Sequence, residues 1–523
     1  MRCKNNFEKI ILLFFIFFLT SFSLFSGENC KTCHKNISSM DKNHNFSCSY
    51  CHIFKNAKKS KCKFKVIKNP SDLKYAYLKC GKCHKKEIFN VKRSLMSTNA
   101  GIINITRYLW YEENSINGNY STIEVGKLKK IPDEKLVDDF LRKVCLRCHI
   151  NTEGAKRYGE YRSSGCASCH IIYKNDGSHL HKFTKDIPVT QCLHCHNFNR
   201  IGFDYAGFFE HDYNQVYNSP LGNPNFKKIY GEYQHRLISD VHYRLGYKCT
   251  FCHKKEEVMG DGKIYLFEHE QVKIKCVNCH KKPHKIKDYH KSLKCYSCHS
   301  IWGAQDYGMH VVREDYEGYF RWKDFKNTNV PDTQKILNKA LGIYGDLAKL
   351  TDNPNDLKFK KVPPKITDYI DGKKKLGVWY ILWTYRRWEN PVLGIDSNGK
   401  ITPVRPEYQF YVTWIDKNMN VKVNSKKMRF GWAPYFPHTI TKYGRSCYSC
   451  HFNLKSLGLG YGMIVDGKKV VNMYNLKEDG FKIDFPLEKI ISVNGKILQD
   501  FIFPNTSPLK IHTIKKMLKG YLK

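Results

Sequence analysis

Twenty of the 22 cysteines fall in ten Cys-x-x-Cys pairs, and every pair is followed directly by histidine. Along the chain these are Cys30, Cys33 and His34; Cys48, Cys51 and His52; Cys80, Cys83 and His84; Cys145, Cys148 and His149; and Cys166, Cys169 and His170. Then come Cys192, Cys195 and His196; Cys249, Cys252 and His253; Cys276, Cys279 and His280; Cys295, Cys298 and His299; and Cys447, Cys450 and His451. Two thiols three residues apart on one helical turn can both add to the vinyl groups of a haem, while the adjacent imidazole turns onto the iron. This makes C-x-x-C-H the attachment signature of c-type haem. Zinc also takes C-x-x-C pairs, but zinc sites do not require histidine after each pair. With 23 histidines in 523 residues, ten such hits would arise by independent placement about once in 10^13. The expected cofactor is haem c, ten covalently attached groups, with the ten motif histidines as proximal iron ligands.

Thirteen histidines lie outside the motifs, close to the number that ten six-coordinate irons need. Six stand a short way before a motif: His44, His181, His242, His269, His290 and His438. They are expected as distal ligands, usually to a neighbouring haem, because bis-histidine iron stays low-spin and exchanges electrons with little rearrangement. The alternative for any of them is an ordinary hydrogen-bonded histidine. His179, His211, His235 and His284 are open to either reading; His194, inside CLHCH, and His512 are read first as ordinary. Between His52 and His170 the only histidines are His84 and His149, themselves proximal. Motifs three to five must therefore borrow a ligand, use Met96, or leave iron open to substrate.

A further pattern follows the ninth motif: Asp306, Met309 and His310 repeat the C-x-x-C-H spacing with both cysteines replaced. Without thiols no thioether forms there; the expectation, against chance spacing, is a degenerate site whose His310 is freed to ligate a neighbouring haem, the alternative being haem held by Met309 and His310 without a covalent link. Cys62 stands outside every pair, as a free thiol or a lost attachment site.

The elements that must position these groups divide the chain. Residues 1–27 open with Arg2, Lys4 and Lys9 and then run apolar from Ile10 to Phe25, an export signal, or an N-terminal anchor where it stays uncleaved. Residues 28–310 form a nine-haem region; within it PDEKLVDDFLRKVCLRCH reads as a helix delivering the fourth haem, with Leu136, Val137, Phe140, Leu141 and Val144 on one face. Residues 311–440 lack motifs. PDTQKILNKALGIYGDLAKL there looks helical, GVWYILWTYRRW and EYQFYVTWI look like strands, and SNGK between them is a hairpin signal. Residues 441–523 hold the last motif and a tail of hairpins around DGKK and NGK. The fold class expected is a mostly α-helical and irregular multihaem array of low regular secondary structure, plus a haem-free β-containing segment before the last haem. Porphyrin faces would supply apolar core that a hydrophobic share of 41% leaves short.

The formal charge of +40 falls to roughly +20 with two propionates per haem, and the remainder favours acidic redox protein partners. No nucleic-acid motif accompanies it. Several stretches, among them SLMSTNAGIINITRYLW, CLRCHINTEGAKRYGEYRSSGCASCH, CLHCHNFNRIGFDYAGFFEHDY, DVHYRLGYKCTFCHKKEEVMGDG, RWENPVLGIDSNGKITPVRP and CYSCHFNLKSLGLG, resemble large multihaem c-type cytochromes of anaerobically respiring bacteria, over most of 75–460. In similar proteins the CHxxW of the ninth motif tends to continue into another C-x-x-C-H, in line with a degenerate site at 306–310. The resemblance implies a periplasmic or outer-surface electron carrier in anaerobic respiration, between a membrane-linked donor and a periplasmic or extracellular acceptor. The alternative is a reductase acting on a nitrogen or sulfur oxyanion at one five-coordinate haem. A third reading is a docking protein whose β segment binds a partner.

Overall fold

The computed structural model describes residues 30, 34–53, 66–210, 234–316, 365–471 and 490–519, apart from short gaps within them. The leader, Cys33, Cys62, His211, the side chains of His235 and His310, and the helix expected at 331–350 lie outside the described residues.

Most motifs form a single helical turn, as at Cys48–His52, Cys249–Cys252 and Cys295–His299. The third instead lies inside helix α1 (Leu73–Arg93), which departs from helical geometry at His84 (φ −115°, ψ 33°). The Asp72 side chain caps α1 by accepting from the Lys74 amide at 3.0 Å. Leu73, Ala76, Ile88 and Val91 bury one face against Ile150, with Met96, Cys80 and Cys166 at the margin. Met96 is thus a packing residue at the edge of the third and fifth motifs.

Helix α2 (Leu136–Lys143) forms where the apolar periodicity predicts it and runs through Val144 into the turn Cys145–Cys148. Its buried Val137, Phe140 and Leu141 enter a core with Trp110, Trp379 and Phe410. The Phe140 ring lies 5.3, 5.0 and 5.6 Å from those three rings in turn, within the range of favourable aromatic packing. Polar bonds lock the same helix to the β region: Arg142 Nε donates to Asp368 Oδ2 at 2.7 Å, and Trp379 Nε1 donates to Asp139 Oδ2 at 2.7 Å.

That region begins earlier than expected. Strand β1 (Trp302–Glu314) runs straight through the boundary placed at 310. Residues 306–310 are therefore extended chain, spanning far more length than the helical turn of an attachment motif. β1 pairs antiparallel with β2 (Val378–Glu389). The hairpin signal SNGK joins β3 (Leu393–Ile395) to β4 (Ile401–Glu407), with Ile395 opposite Ile401. The aromatic strands β2 and β5 (Phe410–Ile415) do not pair with each other; both flank β1, and β6 (Val421–Lys427) completes the order β2-β1-β5-β6. A second sheet has the order β7-β4-β3-β8, with β7 Gly431–Pro434 and β8 Ser507–Pro508.

The C-terminal tail contains the expected hairpin, Met463–Val465 against Lys469–Val471, and an Ile491–Ile497 bridge around NGK. It ends, contrary to expectation, in helix α3 (Ile511–Lys519). Ile514 is buried there, with Met517 and Leu518 packed against Leu393, Leu457 and Ile491. Apolar residues three or four apart and a following Gly520 make that helix locally favourable.

Candidate functional site

Residues of nine motifs line one continuous cavity of about 4770 Å³. That is several times the roughly 300–1,000 Å³ of a single ligand pocket, so the space suits many large groups. No described cysteine is in a disulfide; the thiols stand free to be alkylated. Burial pushes the Cys145 thiol up to about 12 and holds the His149 imidazole down to about 3, the neutral form a metal requires.

Among the described residues, six histidine pairs face one another. Ring centroids lie 6.2 Å apart for His44 and His84, 6.2 Å for His52 and His181, and 6.2 Å for His242 and His280. They lie 6.3 Å apart for His253 and His438, 6.0 Å for His284 and His299, and 6.3 Å for His290 and His451. Every pair joins one motif histidine to one non-motif histidine. An iron held between two imidazoles requires this spacing: two metal–nitrogen bonds of about 2 Å plus about 1 Å from each nitrogen to its ring centre. Among the described residues no three His, Cys, Asp or Glu side chains converge as a metal cage.

The outer nitrogens are also set. Nδ1 donates to a backbone carbonyl in His52 (Ile67, 2.8 Å), His170 (Thr184, 2.7 Å), His299 (Thr441, 3.0 Å), His451 (Met517, 3.2 Å) and His181 (Ser38, 3.2 Å). It meets a carboxylate in His44 (Asp41, 3.0 Å), His242 (Asp240, 2.8 Å) and His253 (Glu257). The Asp240 hydrogen bond raises the His242 pKa despite burial. Such partners fix the tautomer that leaves Nε2 for metal and raise its basicity. Helix α3 has its function here, since Met517 supplies the carbonyl for His451.

Five of the six expected distal histidines are thus brought to a motif histidine; His269 is not, its ring stacking on Phe267 at 5.7 Å while it borders the cavity. His284 joins the set. His84 of the third motif faces His44, which stands four residues before the second motif. The same offset recurs: His242, before the seventh motif, faces His280 of the eighth, and His290, before the ninth, faces His451 of the tenth. Sequence proximity marks these histidines but not the motif they serve, because the partner is chosen by packing.

His194 departs from its ordinary reading. It is 2% exposed, Nδ1 donates to the Tyr161 carbonyl, and Nε2 is buried without a partner. His179 is exposed and stacks on Tyr173 at 4.5 Å, and His512 is exposed on α3. Among the described residues, His34, His149, His170 and His196 form no such pair with another histidine.

Thiol neighbours order the motifs. Cys80 of the third senses Cys51 of the second, and Cys166 of the fifth senses Cys80. Cys192 of the sixth is within hydrogen-bond reach of Cys249 of the seventh, Cys252 neighbours Cys279, and Cys276 reaches Cys295 of the ninth. Cys298 neighbours Cys450 of the tenth. The fourth motif joins from the side, where Cys195 is in hydrogen-bond reach of Cys148. Cavity, free thiols and opposed imidazoles all fit haem c. Compared with protein-family models, curated proteins and solved structures, the chain matches none.

Proposed function

We propose that this protein is an exported decahaem c-type cytochrome that carries electrons in anaerobic respiration, between a membrane-linked donor and a periplasmic or extracellular acceptor. The observation that supports this most is the set of six imidazole pairs, each uniting a C-x-x-C-H histidine with a second histidine at the span of a bis-ligated iron. Bound haem would supply reversible one-electron chemistry. The chain does the rest. The paired histidines would hold the irons, the carbonyl and carboxylate partners fix their tautomers, and the motif contacts would keep successive groups adjacent. Export rests on residues 1–27, and no described helix is long and apolar enough to cross a membrane. The excess of lysine and arginine favours acidic redox partners.

One observation favours the second reading, a reductase of a nitrogen or sulfur oxyanion at one open iron. His149 is half-buried and, among the described residues, faces no second histidine. Intact mass and haem content of the matured protein, followed by a reductive titration, test the proposal. The carrier predicts ten covalent haems and reversible multi-electron reduction without oxyanion turnover; steady turnover of nitrite or sulfite would favour the reductase.

A further inference from the structure

Four arginines are buried among the described residues: Arg107, Arg142, Arg162 and Arg405. Three meet a carboxylate, Arg107 with Asp138, Arg142 with Asp368 and Arg405 with Glu407. Arg162, 4% exposed, meets none. Its Nε and Nη2 donate to the Arg147 carbonyl at 3.1 and 2.5 Å, Nη2 also donates to Thr152 Oγ1 and the Glu153 carbonyl at 2.8 Å each, and Nη1 donates to the Ser163 carbonyl at 2.8 Å. All these acceptors are neutral. They satisfy the N–H groups but leave the charge uncompensated, which is costly in a buried site.

Its location gives that charge a use. Arg147 lies between Cys145 and Cys148, so the guanidinium is seated against the fourth attachment turn. Thr152, which it binds, donates in turn to the Leu146 carbonyl at 2.8 Å and the His149 carbonyl at 2.5 Å. The Ser163 carbonyl that accepts from Arg162 also accepts from Ser168 Oγ of the fifth motif at 2.7 Å, and His194, inside the sixth motif, bonds to the carbonyl of Tyr161, the residue before Arg162. This is where the fourth motif joins the line formed by the others.

We propose that Arg162 raises the reduction potentials of the haems held by motifs four, five and six, so that electrons collect at this junction. The inference rests on the haem reading. An electron from an external donor converts iron(III) to iron(II) and adds one negative charge, which the buried guanidinium stabilises with little screening by salt. The ferrous form is favoured and the potential rises.

Haem content comes first: fewer than ten covalent haems in the wild type would overturn the decahaem reading, whatever Arg162 does. With ten in place, spectroelectrochemical titration compares wild type, Arg162→Gln and Arg162→Lys. The expected result for Arg162→Gln is a downward shift of the highest-potential waves by up to tenfold in redox equilibrium, about 59 mV for one electron, with Arg162→Lys close to wild type. Unmoved waves in Arg162→Gln would overturn the proposal and leave Arg162 as a backbone support or the partner of a propionate. Because a neutral side chain here can impede maturation, Cys145→Ala with Cys148→Ala is titrated alongside. The nine-haem protein should lack a wave from the upper half of the potential range, and a loss from the lower half would equally overturn the proposal.

Discussion

His438, in the segment that follows the sheets, stands with its ring 6.3 Å from that of His253 in the seventh motif, the planes 23° apart. The β region therefore contributes to the array and is not an appended module. It also holds the ninth motif: Lys294 N and Ser297 Oγ both donate to the Ile401 carbonyl, at 3.0 and 2.8 Å, and His299 Nδ1 donates to Thr441. If the His438 pair encloses iron, His438→Ala should convert one haem per chain from low-spin to high-spin and carbon-monoxide-binding, leaving the others unchanged. A variant with an unaltered spin-state spectrum would remove His438 from the ligand set.

The pairs differ in ring orientation. His44 with His84 and His253 with His438 are near parallel, at 17° and 23°, whereas His242 with His280 are inclined at 64°. Steeply crossed imidazoles leave the iron dπ orbitals closer in energy, which increases g anisotropy. His242→Ala should therefore delete the most anisotropic low-spin signal of the oxidised protein, and His44→Ala a rhombic one. Electron paramagnetic resonance at low temperature checks the assignment, and the opposite pattern would contradict it.

Phe140 joins α2 to both aromatic strands. Truncation of a buried phenylalanine costs about 3–5 kcal/mol. Phe140→Ala should lower the unfolding free energy of the unit that includes α2 by that amount, and its urea midpoint with it, and release the fourth haem site, with the His290–His451 pair kept. Urea unfolding followed by tryptophan fluorescence and low-spin signal separates the two.

Asp368 is 1% exposed, and burial alone would raise its pKa; hydrogen bonds from Arg142 and Lys375 outweigh this and set it below the ordinary 3.8. A carboxyl with a depressed native pKa contributes stability above its unfolded pKa of about 3.9 and loses it as pH falls through the native value. Asp368→Asn leaves buried Arg142 with only the looser Asp371 contact at 3.7 Å, so the cost at pH 7 is up to about 3–5 kcal/mol. The difference between variant and wild type should shrink as pH drops below about 4. A difference constant from pH 7 to pH 3 would show that this carboxylate pairing is not what holds α2 to the β region.

Much of this arrangement was legible in the sequence, because the attachment turn and the hairpin are local. C-x-x-C-H needs one helical turn, and the periodicity of α2 and the SNGK turn each specify their own geometry. His44, His242, His290 and His438 were recognisable as ligand candidates, but the motif served by each depends on packing between distant segments. The pairing of β2 and β5 on either side of β1 was hidden for the same reason: strand order is a long-range choice, and the helix-like spacing of Asp306, Met309 and His310 masked an extended segment. The burial of His194 inside CLHCH and its bond to the Tyr161 carbonyl appear only in three dimensions.

The most direct test of the central claim is a carbon-monoxide difference spectrum of the fully reduced, matured protein, normalised to haem content. Six opposed imidazole pairs predict ten haems per chain of which at least six refuse carbon monoxide. Binding by five or more would show that at least one of the paired histidines does not hold iron.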